Sequence, residues 1–314
     1  MRAPSSAIVL ALTLVSAFSL GACGKLKPAD TSGAAGSTGA AGSTGAAGST
    51  TGAGGTTNVL VTISGTAAPH PLNAALLAGQ TLDFSMLKVS IVDPAAVILN
   101  PNATPLGSMA LDTSTGNCDA TNGCKWMLTG VNITNPNLLG LVGTLEDTRT
   151  GDARVWVKTG TGMGTMADVG NARMNPGSPI TDRRAFIVSR ALEAKLGAFL
   201  GPALGTTFAP GDLEARGFLI GHVVGKVSLG AMPVAGAKVA ATGPFDYVYP
   251  NADFSGVGTT TSASGLFLMV PKEAKAVVAS WDVVPPTGDT RTWETHLAGA
   301  NPNNAFVIIL QASE

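Results

Sequence analysis

Charge is scarce in this chain. Of 314 residues, 12% are Asp, Glu, Lys or Arg, and 19 basic against 20 acidic residues leave a formal net charge of −1. No basic patch stands out, which excludes the electrostatic footprint of a nucleic-acid-binding protein. Histidine is scarcer still, with His70, His222 and His296 the full set. None is followed by a second potential ligand at i+2, i+3 or i+4, the spacing a zinc site uses. His222 lies in the apolar run Phe218 to Val224 and reads as a strand histidine facing solvent. No Gly-x-Ser-x-Gly elbow raises a serine nucleophile, and cysteine occurs three times. No apolar run reaches the ~20 residues of a membrane-spanning helix.

What is present begins with a leader. Arg2 gives a basic start, Ala7 to Phe18 form an apolar run, and small residues approach Cys23. That order is the secretory signal pattern, so residues 1–22 are expected to be removed. Leu20-Gly21-Ala22-Cys23 resembles the lipobox of bacterial lipoproteins. The resemblance implies a thioether-linked diacylglycerol on Cys23, cleavage before it and acylation of the new N-terminus. Several acyl chains at ~0.8 kcal/mol per buried methylene make such an anchor permanent. Gly24, and not Asp, follows the cysteine, which for an enterobacterial-type lipoprotein favours the outer membrane.

Residues 33–50 read Gly-Ala-Ala-Gly-Ser-Thr three times, and the same composition runs to Thr57. No side chain there exceeds threonine, so nothing offsets the entropy of ordering, and 23–57 reads as a disordered linker. A Gly-rich coil of this length spans roughly 30 Å by the square-root rule.

Residues 58–314 are enough for two modest domains or one large one with a sizeable core. Low charge with abundant Gly, Thr, Ala and Val suits an exported, mainly β protein. Cys118 and Cys124 bracket a turn containing Asn122-Gly123. In an exported chain such a pair is most simply a disulfide, since a redox or metal pair would want two-residue spacing and a nearby histidine. Asp112, Ser114, Asp119 and Asn122 gather beside it, but they miss the EF-hand spacing and lack a closing Glu, so a solvated turn is the reading.

Two distant segments can be overlaid. Lys88-Val89, Pro94, Pro101-Asn102-Ala103 and Gly116 match Lys238-Val239, Pro244, Pro250-Asn251-Ala252 and Gly265. The Lys-to-Pro step is the same in both (88 to 94, 238 to 244), as is the step from Pro to Gly (101 to 116, 250 to 265). The second copy sits between Pro233-Val234-Ala235-Gly236-Ala237-Lys238-Val239 and Thr259-Thr260-Thr261-Ser262-Ala263-Ser264-Gly265-Leu266-Phe267. This setting resembles the carboxypeptidase regulatory-like family, over about residues 217–314. The resemblance implies a transthyretin-like β-sandwich serving as a non-catalytic accessory. Alternating strands at 59–65 and 87–92 make a related sandwich at 58–160 the economical reading for the first copy. The expected fold class is therefore mainly β, two transthyretin-like sandwiches, with a connecting segment at 161–216 carrying one helix near 182–200. Thr181 or Asp182 would cap that helix, and Gly201-Pro202 would stop it.

Gly160-Thr161-Gly162-Met163-Gly164 lacks the lysine and the spacing of a phosphate loop. Glycosidase acids need geometry and no local motif, so Glu146, Asp147, Asp212, Glu214, Asp282, Asp289 and Glu294 all stay open as candidates. Trp156, Trp281, Trp293, Tyr247 and Tyr249 are candidates for stacking on sugar rings if exposed, and otherwise belong to the core. The expected function is a non-catalytic cell-envelope lipoprotein displaying β-sandwiches for binding or support. The alternatives are a carbohydrate-binding module and a hydrolase. Its expected partners are a membrane, through the lipid, and a protein or glycan, with no cofactor and no nucleic acid.

Overall fold

The computed structural model describes residues 58–313 apart from 78–82, 101, 115, 120–122, 136–137, 139 and 226–231. The leader, Cys23, the linker and Asn122 lie outside the described residues. Strands β1 Leu60–Pro69, β2 Leu87–Val92, β3 Gly107–Ala110, β4 Cys118–Asp119, β5 Gly123–Asn132 and β6 Leu141–Asp147 come first. β7 Trp156–Val157, β8 Thr159–Gly164 and β9 Ile180–Ser189 complete the N-terminal half. The C-terminal half holds β10 Phe218–Val224, β11 Lys238–Ala240, β12 Phe245–Pro250, β13 Val257–Gly258, β14 Leu266–Pro271, β15 Val277–Val284, β16 Thr292–Trp293, β17 His296–Ala300 and β18 Ala305–Ser313. Helices are short: α1 Pro71–Leu76, α2 Pro94–Leu99, α3 Met166–Met174, α4 Arg190–Ala203 and α5 Asp212–Arg216.

The class is mainly β, as the composition and alternation predict. Two sandwiches share one large sheet, ordered β13-β12-β14-β10-β18-β8-β6-β2-β3 with β16 paired to β18. A five-stranded sheet, β4-β5-β1-β9-β7, packs on its N-terminal part, and a three-stranded sheet, β11-β15-β17, on its C-terminal part. The half-buried strands are explained by their alternation. In β1, Val61 and Ile63 enter a core with Val89, Ile91, Leu145 and Trp156, while Thr62 and Ser64 are half-exposed. In β15, Val277, Ala279, Trp281 and Val283 point inward and their neighbours outward, the period-2 signature of a half-buried strand. β10 and β14 are buried on both faces and, His222 apart, read as apolar runs. Leu219, Phe267 and Met269 face the three-stranded sheet; Phe218, Ile220 and Leu268 face Leu192, Leu196 and Leu200 of α4.

Across the expected boundary between sandwiches, the large sheet is continuous. β18 runs parallel to β8, pairing Ala305, Phe306 and Val307 with Thr159, Gly160 and Thr161. Gly160 is required here, because a Cβ would lie 2.8 Å from the Phe306 ring. The segment 160–164 is thus strand β8 and no phosphate loop. Its threonines bind the opposite sheet, Thr161 Oγ1 accepting from Phe186 N and Thr159 Oγ1 from Val188 N.

The helix expected near 182–200 begins only at Arg190, and residues 180–189 form β9. Ala185-Phe186-Ile187-Val188 is an apolar run buried on two sides. Ala185 and Ile187 enter the N-terminal core, and Phe186 and Val188 enter the core beneath α4. A helix cannot place adjacent residues in opposite cores, whereas a strand parallel to β1 does. Ser189, and neither Thr181 nor Asp182, caps α4, accepting from Leu192 N. The sequence repeat is not a structural one. Lys88-Val89 lies in β2, paired on both sides by β3 and β6, whereas Lys238-Val239 lies in β11, the edge of the smallest sheet.

The quoted C-terminal motif does assemble. Thr261 Oγ1 accepts from Ala237 N at 3.0 Å and donates to Val234 O at 2.6 Å, so the two motif halves bind each other. Gly265 turns at φ 65°, its N–H donating to Ser262 O.

Candidate functional site

The disulfide forms as expected between Cys118 and Cys124, joining the paired strands β4 and β5. Beside it, Asp112 accepts from Ser114 N, and that bond holds its carboxyl below the usual range. Asn117 Nδ2 donates to Asp112 O and Lys125 O. These bonds tie Asp112 and Asn117 to the start of β5.

The candidate glycan aromatics converge inward, and this corrects the stacking assignment for Trp281 and Tyr249, as it does for Trp156 in the N-terminal core. Trp281 is 0% exposed. It donates from Nε1 to Ala298 O and packs against Phe245, Phe267 and Tyr247 at centroid distances of 5.4, 5.2 and 6.1 Å. Tyr249 is buried, its hydroxyl accepting from Val239 N at 2.8 Å. Tyr247 is half-buried and donates to Val239 O at 3.2 Å. The two tyrosines of β12 thus close the free edge of β11, satisfying backbone groups that would otherwise be orphaned. Trp293 is half-buried, with the Arg291 guanidinium 5.3 Å above its ring. That guanidinium is itself held by Asp289, whose carboxyl it pulls down.

The carboxylates are likewise engaged. Glu146 faces Lys88 and Lys158 at 3.7 and 3.9 Å. Burial pushes the Asp147 carboxyl up, but Arg149 and the N–H groups of Val155, Arg149 and Trp156 outweigh it and hold the group low. Glu214 binds Arg154 and Arg190. Asp212 accepts from Ala209 N, and Asp282 from the Thr295 hydroxyl. Glu294 is exposed. Glu193, which the sequence reading passed over, is buried and accepts from the N–H groups of Gly211, Leu213 and Glu214. It supplies from α4 the cap that α5 lacks in its own Gly211. Burial pushes its carboxyl up.

A depression of about 140 Å³ lies among Leu204, Phe208, Arg216, Val270 and Lys272. That is below the roughly 300 Å³ at which small-molecule sites begin. Its cations are engaged, Arg216 over the Phe208 ring at 5.2 Å and Lys272 with Asp246 at 3.5 Å.

The most unusual polar cluster is one the sequence does not announce. His222 does not face solvent: it is 8% exposed, and His70, 152 positions away, is 1% exposed. Their Nε2 atoms stand 3.0 Å apart in stacked rings. His70 caps α1, its Nδ1 accepting from Leu72 N. Next to it, Asn73 donates to the carbonyls of His70 and Ile187 and accepts from the Ser189 hydroxyl, the cap of α4. Burial holds both rings neutral: it pushes His222 down to about 4 and His70 well below its ordinary value, with His222 adding to the effect on His70. Two imidazoles facing through Nε2 suggest a metal pair. Nδ1 of His70, however, accepts a backbone N–H, so the proton of the neutral ring sits on Nε2, the atom a metal would need free. Among the described residues no group of three metal-ligating side chains occurs.

No helix among the described residues is long and apolar enough to cross a membrane. No protein-family model matches the chain, and no curated protein matches it. Among solved structures it is similar to the shaft pilin SpaA of Lactobacillus rhamnosus GG, at 8% identity and a TM-score of 0.20, over 82% of this chain and 99% of that one. It is similar to the minor pilin GBS52 of Streptococcus agalactiae, at 7% identity and TM-score 0.22, over 81% and 97%. The TIE protein of Bacillus anthracis aligns at 10% identity and TM-score 0.21, over 82% of this chain, which spans 35% of that protein.

Proposed function

We propose that this chain is an exported, lipid-anchored protein of the cell envelope, carrying a non-catalytic β-sandwich body on a flexible tether for binding or structural support. One observation carries the reading: the Cys118–Cys124 disulfide takes two of the three cysteines. The remaining thiol is Cys23, directly behind the signal-like leader and Leu20-Gly21-Ala22. A structural disulfide also suits the oxidising compartment to which such a leader directs a chain.

The tether of residues 23–57 would hold the body roughly 30 Å from the headgroups. The contacts between the Pro233–Val239 and Thr259–Leu266 segments support the likeness of the C-terminal sandwich to the accessory carboxypeptidase regulatory-like family. A glycan-binding role is not favoured, because Trp281 and Tyr249 are core residues. Hydrolysis is not favoured, because the candidate carboxylates Glu146, Asp147, Asp212, Glu214, Asp282 and Asp289 each hold a structural partner. Gly24 after the cysteine favours the outer membrane.

The test is Cys23→Ser in the native host, with labelled palmitate and membrane fractionation. Wild type should carry label and sediment with outer membrane, and the variant should lose both. A variant that stays labelled and membrane-bound overturns the reading.

A further inference from the structure

The His70–His222 pair sits at the joint between the two sandwiches. His70 follows the end of β1, and His222 lies in β10 between Leu266 of β14 and Ile309 of β18. Apart from the pair, the halves are tied here by the short β8–β18 ladder and the apolar layer under α4. Each ring carries one proton, and the hydrogen bonds form a directed chain. Leu72 N–H donates to His70 Nδ1, His70 Nε2–H donates to His222 Nε2, and His222 is hydrogen-bonded in turn to the backbone of Ser264.

A second proton breaks this chain wherever it lands. On His222 it sets an N–H against the His70 N–H at 3.0 Å, and on His70 Nδ1 it opposes the Leu72 N–H. We propose that the pair is an acid-released latch: neutral, it binds α1 and the end of β1 to β10, and at mildly acidic pH it opens this joint while the outer sheets stay folded.

The charged groups on the surrounding elements are Asp182, Arg183 and Arg184 of β9, Arg190, Glu193 and Lys195 of α4, and Asp212, Glu214 and Arg216 of α5. Glu193 is bonded to the α5 N-terminus, and Arg190 to Glu214. α1 brings no charged side chain, and β10, β14 and β18 meet the rings with aliphatic residues. No carboxylate among them stabilises an imidazolium: burial dominates for both rings, and the one charge acting on His70 is that of His222.

The test uses the full mature chain in detergent micelles. Histidine-selective NMR should find two rings neutral at pH 5, and hydrogen exchange should be compared at pH 7 and 4.5 after correction for intrinsic rates. Opening at residues 70–76 and 218–224 should rise on the order of fiftyfold at pH 4.5 from His222 alone, by proton linkage between about 4 closed and 6.5 open. Peptides from β5 and β15 should not change. The double variant His70→Asn, His222→Leu keeps a helix cap and fills the apolar face, and it should lose the pH response. Two rings titrating near 6.5, opening that includes β5 and β15, or an unchanged response in the double variant would each overturn the latch. Should that variant not fold, the wild-type titration and exchange pattern decide alone.

Discussion

Replacing Trp281 with alanine should cost the fold and leave any ligand untouched. The side chain is fully buried at the centre of the C-terminal core, between Phe245 and Phe267. Removing it leaves a cavity the size of an indole, for which core truncations of aromatic residues lose about 3–5 kcal/mol. The Ala298 carbonyl also loses its donor, at about 1 kcal/mol more. With ordinary domains stable by only about 5–15 kcal/mol, the variant should be near its limit. Trp293→Ala, by contrast, removes a half-buried ring and its Arg291 contact, worth about 1 kcal/mol. Tyr249→Phe leaves the Val239 N–H buried without an acceptor, at about 1–3 kcal/mol. Urea denaturation of the mature chain in detergent, with midpoint and slope fitted together, measures all three. Retention on insoluble glycans should be measured beside it. If Trp281→Ala unfolds within about 1 kcal/mol of wild type, or keeps its stability while losing glycan retention, the assignment of this ring to the core is wrong.

Three further outcomes are expected. Cys118→Ser should lower stability by roughly 2 kcal/mol, the loop-entropy value for so short a ring, and thiol reductant should reproduce the shift in wild type but not in the variant. Glu193→Ala should lose about 1–3 kcal/mol and speed exchange at the amides of Gly211, Leu213 and Glu214. The pH dependence of stability has a defined sign. The unfolded chain binds protons at its histidines near 6.5 and the folded chain does so at about 4 for His222, so stability is full above 6.5 and falls as pH drops from there towards 4. The loss from His222 alone is about 3 kcal/mol, measurable as a fall in Tm across that window that a His222→Leu variant reduces but, with His70 still buried, does not abolish.

Much of the sheet content was legible because alternation is local. Val61 and Ile63 in β1, or Val277 to Val283 in β15, declare their inward face within a few residues. The helix start was misplaced because 180–189 is buried on both faces, where a continuous apolar run hides the period that separates strand from helix. The overlay of Lys88-Val89 on Lys238-Val239 matched turn chemistry, and turn residues recur wherever a strand must stop; pairing partners decide equivalence, and they differ. The histidine pair had no readable signal in its spacing, since the two rings meet only after β1 and β10 are brought together. Two local features did point to burial: His70 stands directly before Pro71, the position of a helix cap, and His222 is the sole polar residue in Phe218 to Val224. The tyrosines of β12 alternate as strand residues do, but that their hydroxyls close the edge of β11 depends on the facing sheet.

Cys23 carries the proposal of an envelope anchor, and the most direct measurement is the mass of the N-terminal peptide of the mature protein, purified from membranes of its own host. The prediction is a chain that begins at Cys23 and carries a diacylglycerol thioether and an N-acyl group. A peptide that retains residues before Cys23, or that begins with an unmodified thiol, would contradict it.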